Sequence, residues 1–313
     1  MYQINRLEDI KAPFRRGVIT IGNFDGVHIG HQALFHEVIE KAEAIDGTSI
    51  AMTFEPHPLR VLGADHHPPL ITVYPHKVEL IQATGIDVLI TIPFTREFAA
   101  VSASQFVQDL LVKKIGMTAI VVGKDYAFGR NREGDLTLLQ RLAGTMGFEL
   151  ILSNWIRPNG DPAKRISSTH IRQRVMDGQM AVAAKMLGRP YQIRGTVSRG
   201  RDRGGRLLGF PTANIILQDE LCPKSGVYAV TVQRRQQIHN GVANIGYSPT
   251  FDDNQFTIEV HILDFNDSIY DETIRVNFME RLRDEIKFNG IDELSRQIRQ
   301  DIETARRVLP PTA

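Results

Sequence analysis

Apolar and polar positions change rhythm along the chain near residue 188. Before it, short apolar runs alternate with stretches whose apolar residues recur every three or four positions. The runs at 17–21, 49–54, 88–92, 119–122 and 149–152 read as buried strands. Helical spacing fills 31–45, 76–83, 103–115 and 136–146, the first carrying Leu34, Phe35, Val38, Ile39 and Ala42 on one face. Strands alternating with helices predict an α/β unit: a parallel sheet with helices on both faces. Ligands of such sheets bind beyond the carboxyl ends of the strands, so the loops there are where chemistry is expected. A further helical pattern follows Thr169 and runs to about Leu187, where Gly188-Arg189-Pro190 breaks it. The domain boundary is expected there, giving 1–187 and 188–313.

Beyond the break the pattern is that of short β segments, at 191–197, 226–232, 237–240, 241–245, 257–264 and 274–278. Asn240-Gly241 reads as a hairpin turn. Antiparallel strands at this spacing predict a small barrel. Ile291, Leu294, Ile298, Ile302 and Ala305 give a closing helix one apolar face, expected to pack on the barrel.

Composition narrows the class. The 313 residues suffice for two domains, and 42% hydrophobic with 23% charged residues is ordinary for a globular protein. A net charge of +1 argues against a broad nucleic-acid footprint. A single cysteine, Cys222, excludes an intramolecular disulfide. Residues 1–16 mix charge throughout, and no run approaches the ~20 apolar residues of a membrane span. A cytoplasmic protein without membrane or nucleic-acid partners is expected.

The densest candidate chemistry follows the first of these strands, in Gly22-Asn23-Phe24-Asp25-Gly26-Val27-His28-Ile29-Gly30-His31. Strand, glycine turn and helix N-terminus form a phosphate-binding arrangement, in which free N–H groups and the helix dipole face an anion. His28 and His31, three apart around that N-terminus, can both face one phosphate. The string His28-Ile29-Gly30-His31 also resembles the signature of class I nucleotidyl-transferring enzymes, which attack the α-phosphate of a nucleotide. After the second strand, Phe54, Pro56 and Pro58 form a stiff loop with an aromatic face. The loop from Gly123 to Asp135 combines Asp125, Tyr126, Phe128, Arg130 and Arg132, a set able to stack a flat ring and reach a phosphate. Ser167, Ser168 and Thr169 can cap the following helix or bind a second anion, with Arg172 one turn in.

In the second half, the basic glycine loop ending at Arg206 suits phosphates, and Thr212 and Asn214 offer neutral oxygens to a hard cation such as Mg²⁺. Along 258–262, alternation sets Glu259 and His261 on one face and Ile258, Val260 and Ile262 on the other. If the aliphatic residues point into a barrel, Glu259 faces solvent. If they pack beneath the closing helix, it points to the mouth near Asn214.

Together these stretches resemble the prokaryotic bifunctional riboflavin kinase/FMN adenylyltransferase family over nearly the whole chain. The resemblance rests on 22–31, 53–58, 123–135 and 166–172, and on 209–214, 226–229, 244–251 and 259–265. Asp271 stands where the family often has glycine. The resemblance implies a Rossmann-like nucleotidyltransferase domain followed by a β-barrel riboflavin kinase domain with a terminal helix. It implies that ATP phosphorylates riboflavin to FMN and then adenylylates FMN to FAD with loss of pyrophosphate. Glu259 would accept the ribityl hydroxyl proton, by the second of the two strand arrangements, and Thr212 and Asn214 would hold Mg²⁺ and phosphates. His28 and His31 would stabilise charge on the α-phosphate. Nucleotide contacts would come from Gly22, Phe24, Asp25, Gly26, Gly30, Ser167, Ser168, Thr169, Arg172, Gly195 and Arg206. Flavin contacts would come from Phe54, Pro56, Asp125, Phe128, Arg281 and Glu285. A weak homo-oligomer is carried as an expectation. Two alternatives differ in class. A class I aminoacyl-tRNA synthetase would need a lysine-rich second signature where 166–169 stands, and a flavin-binding regulator would not need the catalytic side chains.

Overall fold

A computed structural model describes residues 1–63, 67–154, 165–198, 210–217, 219–247 and 256–311. They fall into two compact units: Met1–Pro69 with Tyr74–Ser167, and Leu70–Val73 with Ser168–Ala313. This division lies between Ser167 and Ser168, ahead of the break expected at Gly188.

The first unit contains strands β1 (Tyr2–Ile4), β2 (Gly17–Ile21), β3 (Thr48–Glu55), β4 (Val88–Pro93), β5 (Met117–Gly123) and β6 (Glu149–Ser153). Its helices are α1 (Ile29–Ala44), α2 (Pro58–Leu62), α3 (Tyr74–Gln82), α4 (Arg96–Ala99), α5 (Ala103–Gln105) and α6 (Leu136–Met146). The expected helix over 103–115 begins as α5 but winds as a π-helix from Phe106 to Ile115. The sheet runs β1-β4-β3-β2-β5-β6 with all pairs parallel. Every residue of β2 is buried, as a strand covered on both faces must be. One core includes Ile19, Ile50, Met52 and Ile120; a second includes Val18, Phe35, Val38 and Ala51. Neighbouring residues of β2 thus alternate between two apolar layers. From β2 the chain moves outward through β3 and β4, then returns to the other side of β2 as β5. The order therefore reverses between β2 and β5, and the crevice at their carboxyl ends lies between the two loops richest in candidate residues. The short edge strand β1 was not evident in the pattern, because Tyr2 is exposed and only three residues pair.

The second unit opens with α7 (Ser168–Met176) and α8 (Met180–Leu187), two helices where one continuous pattern was read. Strands β7 (Tyr191–Ser198), β8 (Ala213–Leu217), β9 (Gly226–Arg234), β10 (Gln237–Tyr247), β11 (Phe256–Ile262) and β12 (Thr273–Arg283) close a barrel in the order β10-β11-β8-β7-β12-β9. Its interior is filled by Tyr191, Ile193, Tyr228, Val260, Val276 and Phe278 among others, all nearly inaccessible. Burying each such side chain is worth about 1.5–3 kcal/mol. Asn240-Gly241 is not a turn: both residues lie inside β10, and the hairpin turns at Arg235 and Gln236, with Arg235 at φ +53°. Glycine at 241 has a packing cause, since a Cβ there would stand 2.9 Å from the His261 carbonyl oxygen.

Helix α9 (Ile291–Val308) lies on the outer face of β9, β10 and β12, where Ala305 and Leu309 meet Ala229, Val242, Met279 and Leu282. Ile291 does not share that face as expected; it is 68% exposed. Instead Asp301 is buried, receiving two hydrogen bonds from Arg283 Nε (2.9 and 3.1 Å), one from Arg283 Nη2 (2.8 Å) and one from Gln297 (2.9 Å).

Candidate functional site

At the carboxyl end of β2 the backbone turns through Phe24 (φ +48°), Gly26 (φ +84°) and Val27 (φ +40°) before α1 begins. Phe24 is buried: its ring folds back over Gly22 and packs edge-on against Phe35. Asp25 and His28 are buried beside it. His28 is the N-cap of α1, its Nδ1 accepting from the His31 amide at 3.2 Å. That bond places the proton of a neutral His28 on Nε2. The His31 ring stacks on His28 at 3.6 Å between centroids and meets the Phe24 edge at 5.3 Å. A Cβ at Gly30 would stand 3.2 Å from His28, so glycine there leaves room for its ring. His31 Nδ1 is buried without a hydrogen-bond partner. Burial first, then the nearby His28 and Lys77, hold His31 well below its ordinary pKa of 6.5. At neutral pH the imidazole is uncharged, so it can polarise a phosphate oxygen only as an N–H donor.

Lys77 was missed in the sequence. It lies on α3, is 5% exposed, and directs Nζ to the carbonyl oxygens of Asn23 (3.3 Å) and Phe54 (3.4 Å), with Glu55 at 3.9 Å. Burial lowers its pKa against the pull of Glu55 and Asp25. The ammonium ties the loop that follows β2 to the carboxyl end of β3. Only a lysine inside an amphipathic helix was visible in the sequence, with no spacing to mark it.

Phe54 and Phe128 are joined by a chain of ring contacts through Phe94, Phe98 and Phe106, with neighbouring centroids 5.5–6.1 Å apart. Phe128 is itself buried, its backbone bridging Gly134, while Tyr126 stacks on it at 5.3 Å. Asp125 is ion-paired with Arg165. Pro56 follows Glu55, and His57, the N-cap of α2, separates it from that helix. Ser167 closes the first unit; Ser168 begins α7 in the second, followed by Thr169 and, one turn in, Arg172.

In the second unit, strand register brings Asn244 of β10 opposite Glu259 of β11, and Glu259 opposite Asn214 of β8. The three polar side chains therefore form one row across adjacent strands. Val242, which packs with α9, pairs with His261, so His261 and Glu259 share the outer face of the barrel. Ile258, Val260 and Ile262 point inward, and the arrangement with these residues beneath the closing helix is not found. Yet Glu259 does not stand free in solvent. It is half-buried, and burial raises its carboxyl above the ordinary 4.5. Thr212 lies two residues before Asn214, and the carbonyl oxygen of the preceding Pro211 lies 2.8 Å from His261 Nδ1.

Gly195 faces inward, where a Cβ would stand 2.3 Å from Ile215 Cγ2, which gives it a packing role. Arg281 donates to the Ser225 carbonyl and to Asp284, both at 2.6 Å. Glu285 rests its carboxylate against β10. Arg206 and the basic loop before it lie outside the described residues, as do Gly209 and residues 248–251. Among the described residues no group of three or more His, Cys, Asp or Glu could hold a metal. A cation at Thr212 and Asn214 would therefore need further oxygens from substrate phosphates and water, a donor set that fits Mg²⁺.

Two family models match the chain: FAD synthetase over residues 10–170 and riboflavin kinase over 187–309. A curated bifunctional riboflavin kinase/FMN adenylyltransferase from Escherichia coli K12 is 40% identical, covering 95% of this chain and 94% of its own. Those from Bacillus subtilis (38%; 95% and 94% covered) and Haemophilus influenzae (36%; 98% of each) carry the same description. A solved Streptococcus pneumoniae structure described as a macrolide-efflux protein superposes with TM-score 0.85 at 34% identity, covering 97% of this chain and 98% of that one. Among the described residues no helix is long and apolar enough to cross a membrane.

Proposed function

The chain belongs to the bifunctional riboflavin kinase/FMN adenylyltransferase family, and from that premise we propose which residues carry each of its reactions. The enzyme phosphorylates riboflavin with ATP to give FMN and ADP, then transfers AMP from a second ATP to FMN, giving FAD and pyrophosphate. Phosphorylation is assigned to 188–313 and adenylyl transfer to 1–187.

For phosphorylation, Glu259 accepts the proton of the ribityl hydroxyl as its oxygen attacks the γ-phosphorus. The observation that carries this is the Asn244–Glu259–Asn214 row, which sets a carboxylate of raised pKa beside neutral amides. A base of raised pKa holds a proton better during transfer than an ordinary carboxylate. Thr212 and Asn214 hold Mg²⁺, which when bound neutralises charge on the ATP phosphates. Arg281 and Glu285 orient the flavin.

For adenylyl transfer, the FMN phosphate is already a nucleophile and needs no strong base. His28 and the neutral His31 donate to oxygens of the α-phosphate as charge develops there, assisted by the first amides of α1. Gly22, Asp25, Gly26 and Gly30 shape that turn, and Ser167, Ser168, Thr169 and Arg172 hold the departing pyrophosphate. Phe54, Pro56, Asp125 and Phe128 form the flavin side of this centre; buried Phe128 acts through the loop and the stacked Tyr126. The protein works in the cytoplasm and self-associates weakly. The test is to incubate pure protein with riboflavin, ATP and Mg²⁺, with and without chelator, and to separate the flavins. FMN followed by FAD, both lost with chelator, is expected; Mg²⁺-independent phosphorylation would refute the cation assignment.

A further inference from the structure

Three glycines of the second unit stand where side chains of the flavin-orienting pair need room. A Cβ on Gly178 would lie 2.5 Å from Arg281 Cδ, and one on Gly226 would lie 2.7 Å from Arg281 Nη2. The closest approach is at Gly246 of β10. A Cβ there would lie 1.7 Å from Glu285 Oε1, 2.2 Å from Cδ and 2.5 Å from Oε2. The Glu285 carboxylate thus occupies the volume a side chain at 246 would take. Gly246 pairs with Thr257, two residues along from the Asn244–Glu259 pair and on the same face. The carboxylate rests on the same wall as the proposed base, roughly 7 Å along the strand from it.

Gly178 and Gly226 have positive φ (+75° and +142°), so backbone conformation alone accounts for glycine at those two positions. Gly246 has no such cause: its φ is not in the left-handed region, and the three atoms nearest its absent Cβ all belong to Glu285. We propose that Gly246 is a specificity-determining position of the riboflavin kinase centre, left without a side chain so that the Glu285 carboxylate can lie against β10 and meet a polar edge of the flavin. The proposal rests on the assignment of Glu285 to the flavin and names the residue that fixes its position. Glu285 is surface-exposed, and its carboxylate ends a flexible chain. A methyl at 246 therefore displaces the carboxylate without forcing the backbone apart.

The test is a double-mutant cycle on the full-length enzyme with Gly246→Ala, Glu285→Ala and the pair. Riboflavin KM and kcat for FMN formation are measured beside FAD formation from supplied FMN and thermal unfolding. Each single variant is expected to lose roughly tenfold or more in kcat/KM for riboflavin, mainly through KM, as for a lost hydrogen bond to a charged group. The pair is expected to be no worse than Glu285→Ala alone, because both changes remove one interaction. FAD formation should be unchanged. If Gly246→Ala lowers thermal stability, Glu285→Ala in the same chain should restore it by removing the clashing atoms. Losses that multiply, a Gly246→Ala enzyme with wild-type kcat/KM, or instability that survives in the pair would each overturn the proposal. A wild-type Glu285→Ala enzyme would overturn it too, by refuting the assignment of Glu285 itself.

Discussion

Replacing Glu259 by glutamine separates catalysis from stability in opposite directions. Glutamine preserves side-chain length and polar reach between Asn214 and Asn244 but cannot take a proton. Removing a general base costs roughly 10²–10⁴-fold. Burial raises the Glu259 carboxyl and strengthens it as a base, and a loss of about 10³-fold, the middle of that range, is expected. At 1.36 kcal/mol per tenfold this is about 4 kcal/mol of transition-state stabilisation. Stability should move the other way. Below 4.5 the carboxyl is protonated in both folded and unfolded chains. As pH rises, the unfolded chain ionises first, so stability falls through the window from 4.5 to the raised folded value and stays lower above it. Glutamine has no such penalty, and Glu259→Gln should be at least as stable as wild type at neutral pH. The assays are riboflavin phosphorylation across pH, FAD formation from supplied FMN, and urea unfolding at pH 5 and pH 7.5. The acid limb of the kinase profile should vanish with the glutamate, while FAD formation persists. Wild-type phosphorylation in the variant, or parallel losses of phosphorylation and stability, would refute the assignment.

His31→Ala should lower FAD formation by roughly 10²-fold or more with FMN formation nearly unchanged, as for loss of one preorganised donor. The unfolded chain binds a proton at His31 below pH 6.5 that the folded chain excludes, so wild-type stability should decline as pH falls through 6.5, and His31→Ala should decline less in acid urea titrations. Asp301→Ala leaves Arg283 facing α9 without its carboxylate; it should cost about 3 kcal/mol, seen as a urea midpoint lower by roughly 1 M or more. A fragment beginning at Arg189 should convert riboflavin to FMN but make no FAD. It should melt below one beginning at Ser168, because α8 buries Met180, Ala183, Met186 and Leu187; equal melting temperatures would show that α8 adds nothing.

The parallel sheet was legible because each buried strand is an unbroken apolar run bounded by a helical period, and α6 runs over the residues expected of it. The glycine turn before α1 was legible because its residue types are rare together. Other features depend on partners that sequence spacing does not display. Asn240-Gly241 has the composition of a turn, but Gly241 pairs with Val230 and Ile262 in the middle of a strand. The polarity of Glu259 was visible, whereas its burial depends on which residues β8 and β10 bring opposite it. Lys77 has nothing local to mark it; its role emerges only where the loop after β2 and the carboxyl end of β3 converge on its ammonium.

The membership of Leu70–Val73 in the second unit bears on how the chain is made. Leu70 pairs with Glu220, and its carbonyl accepts from the Leu221 amide at 2.7 Å. A ribosome adding roughly 5–20 residues per second releases Leu70 on the order of ten seconds before it reaches Glu220. Through that interval the nascent chain on both sides of Leu70 is free to fold, while those four residues await a partner not yet synthesised. The first unit can thus be complete before the second begins, but the second must recover part of its own fabric from within a finished neighbour's sequence. Translation pauses placed after residue 187 should therefore leave a chain that holds all the residues assigned to adenylyl transfer, with one short apolar segment, Leu70-Ile71-Thr72-Val73, exposed to chaperones.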